Sequence, residues 1–417
     1  MNILILRANW YNRGDEAAIR AMIESLRAEI PVQKMSIMLL AARDAWFPYD
    51  DIEILEPYPM VLLGRHRTVD LVDAVFNILT CGRLSLIKRG RRFLQAVNEA
   101  DIVIHAPGGP SIGDLYGGGL LGDSCSLYWL LVAKVFKKKP LFFYAPSMGP
   151  FVDRFRNTAR RFILKKADAI ILREEISLGY LKDQLGLEAR ATLDSAFQND
   201  IPENYLEKYD GISEILELIN GKRTIGMVVT DLKWHNRYRD VEGMAERIMA
   251  SCSEVANYLI EKGYSVLLIP QLFGEVNDTQ LLESIRELDK ERIHICPPDI
   301  DSYGQQILIS KLFCLISMRY HPVVFAAKGN TPFISIYYEH KAQGFARKVG
   351  FTDFSIHVES ISAGEIINTF KILEQNYDIV KQRLRAINPI LKEDSRKTTR
   401  IVVDKLVQLG WRIDTTG

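Results

Sequence analysis

An arginine fork and an imidazole two residues apart can do two things at once: hold an oxyanion and move a proton. The stretch SMRYHPVVFAAKGNTPFISIYYEHKAQGF places Arg319 and His321 in that arrangement, between two apolar runs. The planar guanidinium suits a carboxylate or a phosphate, and histidine changes charge near neutral pH. Lys341, after the next apolar run, adds a third cation. Residues 312–317 read as a buried strand, and Pro322 suits the first turn of a helix, where no backbone N–H is needed. The residue before a proline is pushed out of helical geometry, so His321 is expected to be extended, at the N-cap. The pair then sits at a strand's carboxyl end beside the N–H groups of a helix start, which is anion-binding geometry. A purely structural arginine and histidine at a helix start is the alternative.

Other loops pair reactive side chains with turn residues. Asn12-Arg13-Gly14-Asp15-Glu16 opens a helical pattern over 15–28. Either Gly14 makes the turn while Asp15 and Glu16 favour the positive helix end, or Asp15 faces a ligand as base for a sugar hydroxyl, with Asn12 and Arg13 holding that ligand. In HAPGGPSIGD, Gly108 and Gly109 can bring backbone N–H groups close to a ligand, whereas His105 reads as a core residue at the strand end. Neither a GxGxxG fingerprint nor a Walker A pattern occurs. Arg173 follows the apolar run AIIL, where an unpaired charge would be expensive to bury. Either Glu174 or Glu175 neutralises it, or it reaches an anionic ligand. HxxxH and HExxH spacings are absent and Ser147 lacks a GxSxG elbow, so no metal and no serine nucleophile are expected.

Strands alternating with helical patterns position all of these residues. Candidate strands lie at 2–7, 35–40, 52–56, 101–105, 141–145, 169–173 and 190–194, then at 224–230, 265–269, 293–296, 312–317 and 333–337. Such alternation predicts right-handed βαβ units and parallel sheets, whose ligands bind outside the strands' carboxyl ends. A chain of 417 residues exceeds one ordinary core. The expected fold is therefore α/β, with two doubly wound Rossmann-like domains facing a cleft. Their expected bounds are 1–200 and 224–360, joined by a linker over 201–223 where the rhythm breaks. Residues 361–417 read as a helical tail, interrupted near Asn388-Pro389, that packs back on the first domain.

Composition narrows the class. Apolar content of 47% and charged content of 25% are those of a soluble globular protein, and a net charge of +1 makes no case for nucleic acid. Five cysteines without a CxxC pair read as buried thiols of a reducing compartment. With no signal-like start and no spanning apolar run, a cytoplasmic protein is expected. Residues 65–92 hold seven arginines and lysines against Asp70 and Asp73, interleaved with apolar residues. Such a basic amphipathic helix either lies on an anionic membrane surface or covers the sheet with a solvated face.

The ordered set NRGDEA, DIVIHAPGG, SMGPF, REEIS, LDSAF and SMRYHPVVFAAKGNTPFISIYYEHKAQGF, spread over residues 1 to about 350, resembles the polysaccharide pyruvyltransferase family. The resemblance implies a GT-B-like pair of Rossmann-type domains. It implies transfer of the pyruvyl group of phosphoenolpyruvate onto two hydroxyls of a sugar, in a surface or capsular polysaccharide precursor. A cyclic ketal forms and phosphate is released, with phosphoenolpyruvate as co-substrate and no cofactor. Arg173, Arg319 and His321 would then line the donor pocket. His321 is expected to be the proton donor, Arg319 and Arg173 the anion clamps with Lys341 beside them, and Asp15 the acceptor-side base. Asn12, Arg13, Gly108 and Gly109 are expected to bind the acceptor, a lipid-linked oligosaccharide at the inner face of the membrane. The rival reading is a GT-B glycosyltransferase whose Arg/His pair holds the diphosphate of a sugar nucleotide.

Overall fold

Parallel pairing dominates the computed structural model, which describes residues 1–40, 46–59, 61–62, 65–66, 68–109, 111–115, 123–209, 212–221, 223–273 and 277–413. Strands β1 (Asn2–Asn9), β2 (Lys34–Leu40) and β3 (Ile52–Leu55) precede a short antiparallel hairpin, β4 (Val61–Leu62) with β5 (Arg65–His66). β6 (Ile102–His105), β7 (Leu141–Tyr144), β8 (Ala169–Leu172) and β9 (Arg190–Ala191) complete a parallel sheet in the order β3-β2-β1-β6-β7-β8-β9. Every residue of β6 and β7 is buried, which is why they read as unbroken apolar runs rather than alternating ones. One face of this sheet is covered by α1 (Arg13–Glu29). The other is covered by α2 (Thr68–Leu79), α3 (Lys88–Glu99), α4 (Ser124–Leu130) and α5 (Arg154–Leu164), with α6 (Glu175–Tyr180) following β8.

A second parallel sheet follows α7 (Ile212–Gly221). It is built from β10 (Thr224–Val228), β11 (Ser265–Leu268), β12 (Ile293–Ile295), β13 (Cys314–Ser317), β14 (Phe333–Tyr337) and β15 (Ser355–His357), in the order β12-β11-β10-β13-β14-β15. α8 (Met244–Glu261), α9 (Thr279–Arg286), α10 (Ser302–Lys311), α11 (Tyr320–Lys328) and α12 (His340–Val349) alternate with these strands, and α13 (Ala363–Gln375) and α14 (Tyr377–Gln408) close the chain. In both sheets the strands run 3-2-1-4-5-6 in their own chain order, with a seventh added at the edge of the first, the doubly wound Rossmann arrangement.

The chain divides into two units, and their bounds differ from the expected ones. The first holds Met1–Trp10, Ala18–Ser195 and the residues from Asp394 onward; the second holds Tyr11–Ala17 and Ala196–Glu393. Residues 201–223 are no bare linker. Glu203–Lys208 forms a 3-10 turn with Leu206 buried, Tyr205 bonds Asp301 at 2.5 Å, and α7 follows over Ile212–Gly221. Of the expected tail, α13 and α14 up to Glu393 belong to the second unit. Pro389 lies inside α14 without ending it, and Asn388 donates at 3.0 and 2.7 Å to the carbonyls of Ala327 and Lys328 that end α11. From Asp394 the helix packs Val402, Val403 and Leu406 against β1 and β6, and Thr398 and Thr399 bond Thr192 and Tyr144.

Residues 65–92 are not one helix. α2 and α3 are separated by a turn with Cys81 and Gly82 at φ 52 and 73, and Cys81 is exposed, unlike the other four cysteines. Burial pushes the thiols of Cys252 and Cys296 up to about 12. Asp70, Asp73 and Asn77 of α2 point inward. Asp73 accepts from the hydroxyls of Tyr58 and Ser85 and from the Leu86 N–H, the latter two at 2.6 and 2.5 Å. Among the described residues no helix is long and apolar enough to cross a membrane. Replacing Asp73 with alanine strands these buried donors, so Asp73→Ala should lower the unfolding free energy by about 3 kcal/mol in urea denaturation. A change within a few tenths would contradict this account of α2.

Candidate functional site

The second unit's site begins where β13 gives way to α11. The helix starts at Tyr320 with Arg319 as N-cap (φ −102, ψ 142), so His321 lies in its first turn and not at the cap. Pro322 is still early enough that its missing N–H costs nothing. Ser317 ties the junction, its hydroxyl donating to the Arg319 carbonyl at 2.8 Å and accepting from the Arg319 N–H at 3.1 Å. The His321 ring is buried against Tyr320 and Phe325. It also fills the space a side chain at position 14 would take: a Cβ on Gly14 would lie 2.0 Å from His321 Nδ1. Gly14 therefore serves a close approach. It lies inside α1, and its φ is outside the left-handed region that a turn glycine adopts.

Asp15, one residue on, puts Oδ1 4.0 Å from His321 Nε2. Asn12 Oδ1 accepts from the Asp15 N–H at 2.7 Å, and its amide donates to Asp15 Oδ2 at 2.7 Å. This reciprocal cap fixes the carboxylate facing the imidazole. Asn12 thus caps α1 and holds Asp15 where it partners His321. Arg13 is not available to an acceptor. Its guanidinium bonds Glu16 and the Pro298 carbonyl, both at 2.7 Å, and lies 4.2 Å from the Phe273 ring centroid. Glu16 in turn accepts from the Ser302 N–H and hydroxyl at 3.0 and 2.8 Å, serving the start of α10.

Arg319 lies over the Trp234 ring, 4.7 Å from its centroid. Its Nη2 makes only long contacts, 3.2 Å to Thr230 and 3.4 Å to Asp278. Nε is buried and has no hydrogen-bond partner among the described residues. Burial works against the charge, but Tyr338 and Asp278 more than offset it and hold the guanidinium's pKa above its ordinary value. Next to it, Glu339 sits 3.4 Å from His235 Nε2 and 2.5 Å from Lys341 Nζ, so Lys341 is a paired cation. His235 packs among Trp234, Tyr238 and Tyr338. α11 and α12 follow adjacent strands, and neither N-cap residue, Arg319 or Glu339, caps its helix with its side chain. The arrangement can bind a small anion bearing more than one negative group.

Trp234, Tyr338, Asp278, Glu339 and His235 were not singled out from the sequence. Trp234, Tyr338, Glu339 and His235 lie in loops after β10 and β14, and Asp278 follows β11, so the rule that ligands bind beyond strand ends was the available signal.

Arg173, Gly108 and Gly109 form a separate set in the first unit. Arg173 is fully buried and bonds Asp194 at 2.8 Å, Ser147 Oγ at 2.8 Å and the Gly109 carbonyl at 3.1 Å. Its counter-charge is Asp194 of the LDSAF segment, not Glu174 or Glu175. Glu174 instead caps α6, accepting from the Ser177 N–H at 2.8 Å. Arg173 therefore braces the glycine loop. Gly109, at φ 96, would drive a Cβ to 2.2 Å from the Ser111 nitrogen, so the loop needs glycine there. His105 stacks on Phe143, and burial pushes its pKa down to about 3, so it is a neutral core residue. Among the described residues no group of three or more His, Cys, Asp or Glu side chains is placed to share a metal ion.

A family model described as polysaccharide pyruvyl transferase matches residues 12–340, which covers both the Asn12–Asp15 and the Arg319–His321 segments. The amylovoran biosynthesis protein AmsJ of Erwinia amylovora is 24% identical over 96% of this chain and 97% of its own length. Among solved structures, the UDP-GlcNAc 2-epimerase of Neisseria meningitidis, bound to UDP-GlcNAc, aligns with a TM-score of 0.59 at 13% identity, covering 98% of this chain and all of its own. Anabaena Alr3699/HepE in complex with UDP-glucose gives the same TM-score, identity and coverage. At such identities these likenesses show the fold, two Rossmann-like units of the GT-B kind.

The fit of His321 against Gly14 has a direct test. Gly14→Ala should lower stability by about 1–3 kcal/mol, and adding His321→Ala should recover most of that loss by vacating the space. Equal losses with and without the His321 ring, in denaturant unfolding, would refute the contact.

Proposed function

Because the chain belongs to the polysaccharide pyruvyl transferase family, we propose that it transfers the pyruvyl group of phosphoenolpyruvate onto two hydroxyls of one sugar, forming a cyclic ketal. The protein is a pyruvyltransferase of polysaccharide synthesis. The donor assignment is carried by the position of Arg319, a buried guanidinium at the start of α11, stacked on Trp234, whose Nε–H has no partner among the described residues. Phosphoenolpyruvate bears a carboxylate and a phosphate separated only by C2 and the ester oxygen, and a fork stacked on Trp234 beside two helix starts suits either group.

The chemistry adds one proton to the methylene carbon, giving C2 cationic character. A sugar hydroxyl attacks C2 and loses its proton. The C2–O bond then breaks, phosphate leaves with one proton, and the second hydroxyl closes the ring as it loses the other. Protons gained and lost balance. His321 is the proton donor to the methylene carbon. Asp15, with Oδ1 4.0 Å from His321 Nε2, is the acceptor-side base that takes the proton of the attacking hydroxyl. Arg319 holds the anion, with Lys341 adding positive potential although Glu339 shares it. Arg173 positions the Gly108–Gly109 loop, and that loop is the proposed acceptor contact. The acceptor is a lipid-linked polysaccharide precursor, met at an anionic membrane surface. The likeness to a protein of amylovoran biosynthesis supports a polysaccharide acceptor.

Phosphate release from phosphoenolpyruvate, measured across galactose-, mannose- and glucose-containing acceptors, tests the reading. Release should occur with one acceptor class and fall at least about a hundredfold in Arg319→Ala, with the melting temperature retained. Undiminished release in a folded Arg319→Ala protein would remove Arg319 from the mechanism. No release with any acceptor would remove the donor.

A further inference from the structure

α2 is amphipathic with its faces reversed. Asp70, Asp73 and Asn77 are buried, while Val69, Val72, Val75 and Leu79 face water, Leu79 being 77% exposed. Spacings of three and four residues put these apolar side chains on one stripe. The stripe continues into Leu84 and Leu86 before α3, both exposed. It is pinned outward. Arg89 holds Asp70, Ser85 and Leu86 hold Asp73, and Tyr128 holds Asn77, so the polar face cannot turn out without losing buried hydrogen bonds.

A second stripe lies on the same helical layer. Ala74 of α2 and Ile163 and Leu164 of α5 share one core with Leu4 and Phe143, so both helices cover the same face of the first sheet. On the outer side of α5, Phe155 is 82% exposed, with Val152 three residues before it and Phe162 seven after it also exposed. Basic residues flank both stripes. Between residues 68 and 92 every exposed charged side chain is basic, and Arg91 reaches the Leu86 carbonyl at 2.8 Å. On α5, Arg154 and Arg161 are exposed and Lys166 lies 5.1 Å from the Phe162 ring centroid.

We propose that this outer layer of the first unit is a docking face for an anionic lipid bilayer. Its apolar stripes enter the interface, and its arginines and lysines meet the headgroups. Charge selects this occupant over a second copy of the chain, since a self-complementary contact would bring like charges together. The proposal deepens the membrane-surface reading above and is independent of the donor chemistry.

The test is co-sedimentation of the full chain with phosphatidylglycerol-containing vesicles and with phosphatidylcholine vesicles. The protein should pellet with the first and not the second. Val72→Ser with Leu79→Ser, and Phe155→Ser with Phe162→Ser, should each weaken binding about tenfold at unchanged melting temperature, and Arg83→Gln with Lys88→Gln should do the same. Failure to pellet with anionic vesicles, or binding indifferent to both apolar pairs, overturns the proposal. So does a dimer in sedimentation equilibrium that Val72→Ser with Leu79→Ser dissolves while vesicle binding is absent. Phosphate release with a soluble acceptor reads catalysis separately, so the two readings fail independently.

Discussion

The imidazole of His321 occupies the volume that any side chain at position 14 would need. That constraint seats residues 12–16 in the second unit, although α1 continues from Ala18 in the first. It also places Asp15 against the ring and leaves Asn12 to hold Asp15. A carboxylate facing an imidazole thus arises from segments some three hundred residues apart in chain order. Neither needs a flexible loop, because each rests on a helix start supported by a parallel sheet.

Charge burial sorts the cations by role. Arg173 is matched by Asp194, Arg13 by Glu16 and Lys341 by Glu339, each at 2.5–2.8 Å. Arg319 has an aromatic face below it, Tyr338 beside it, long contacts to Thr230 and Asp278, and a buried Nε that, like that of Arg13, has no partner among the described residues. An orphaned buried donor normally costs about 1–3 kcal/mol, and a ligand oxygen would relieve it. Arg173, by contrast, commits its guanidinium to Asp194, Ser147 and the Gly109 carbonyl inside the first unit.

Much of this was legible in the sequence. Unbroken apolar runs such as IVIH and LFFY mark strands buried on both faces, and the loops after them contain the functional side chains. What local pattern could not give was pairing across distance. Arg173 has two acidic neighbours in sequence, yet its partner, Asp194, comes from the segment that follows β9. Gly14 looks like a turn glycine until His321 is seen beside it. Residues 65–92 read as a basic amphipathic helix, but which face of α2 turns inward is decided by Tyr58, Ser85 and Tyr128, residues outside that helix. Pro389 signals a break that does not occur because Asn388 and the end of α11 hold the helix in place.

Ligand protection against heat unfolding tests the central claim most directly, because a ligand that binds the native state alone raises its melting temperature. Phosphoenolpyruvate should raise the melting temperature of the protein and leave that of Arg319→Ala unchanged, with UDP-glucose inert toward both. Protection by UDP-glucose but not by phosphoenolpyruvate would contradict a donor site built on Arg319 and favour a sugar-nucleotide transferase.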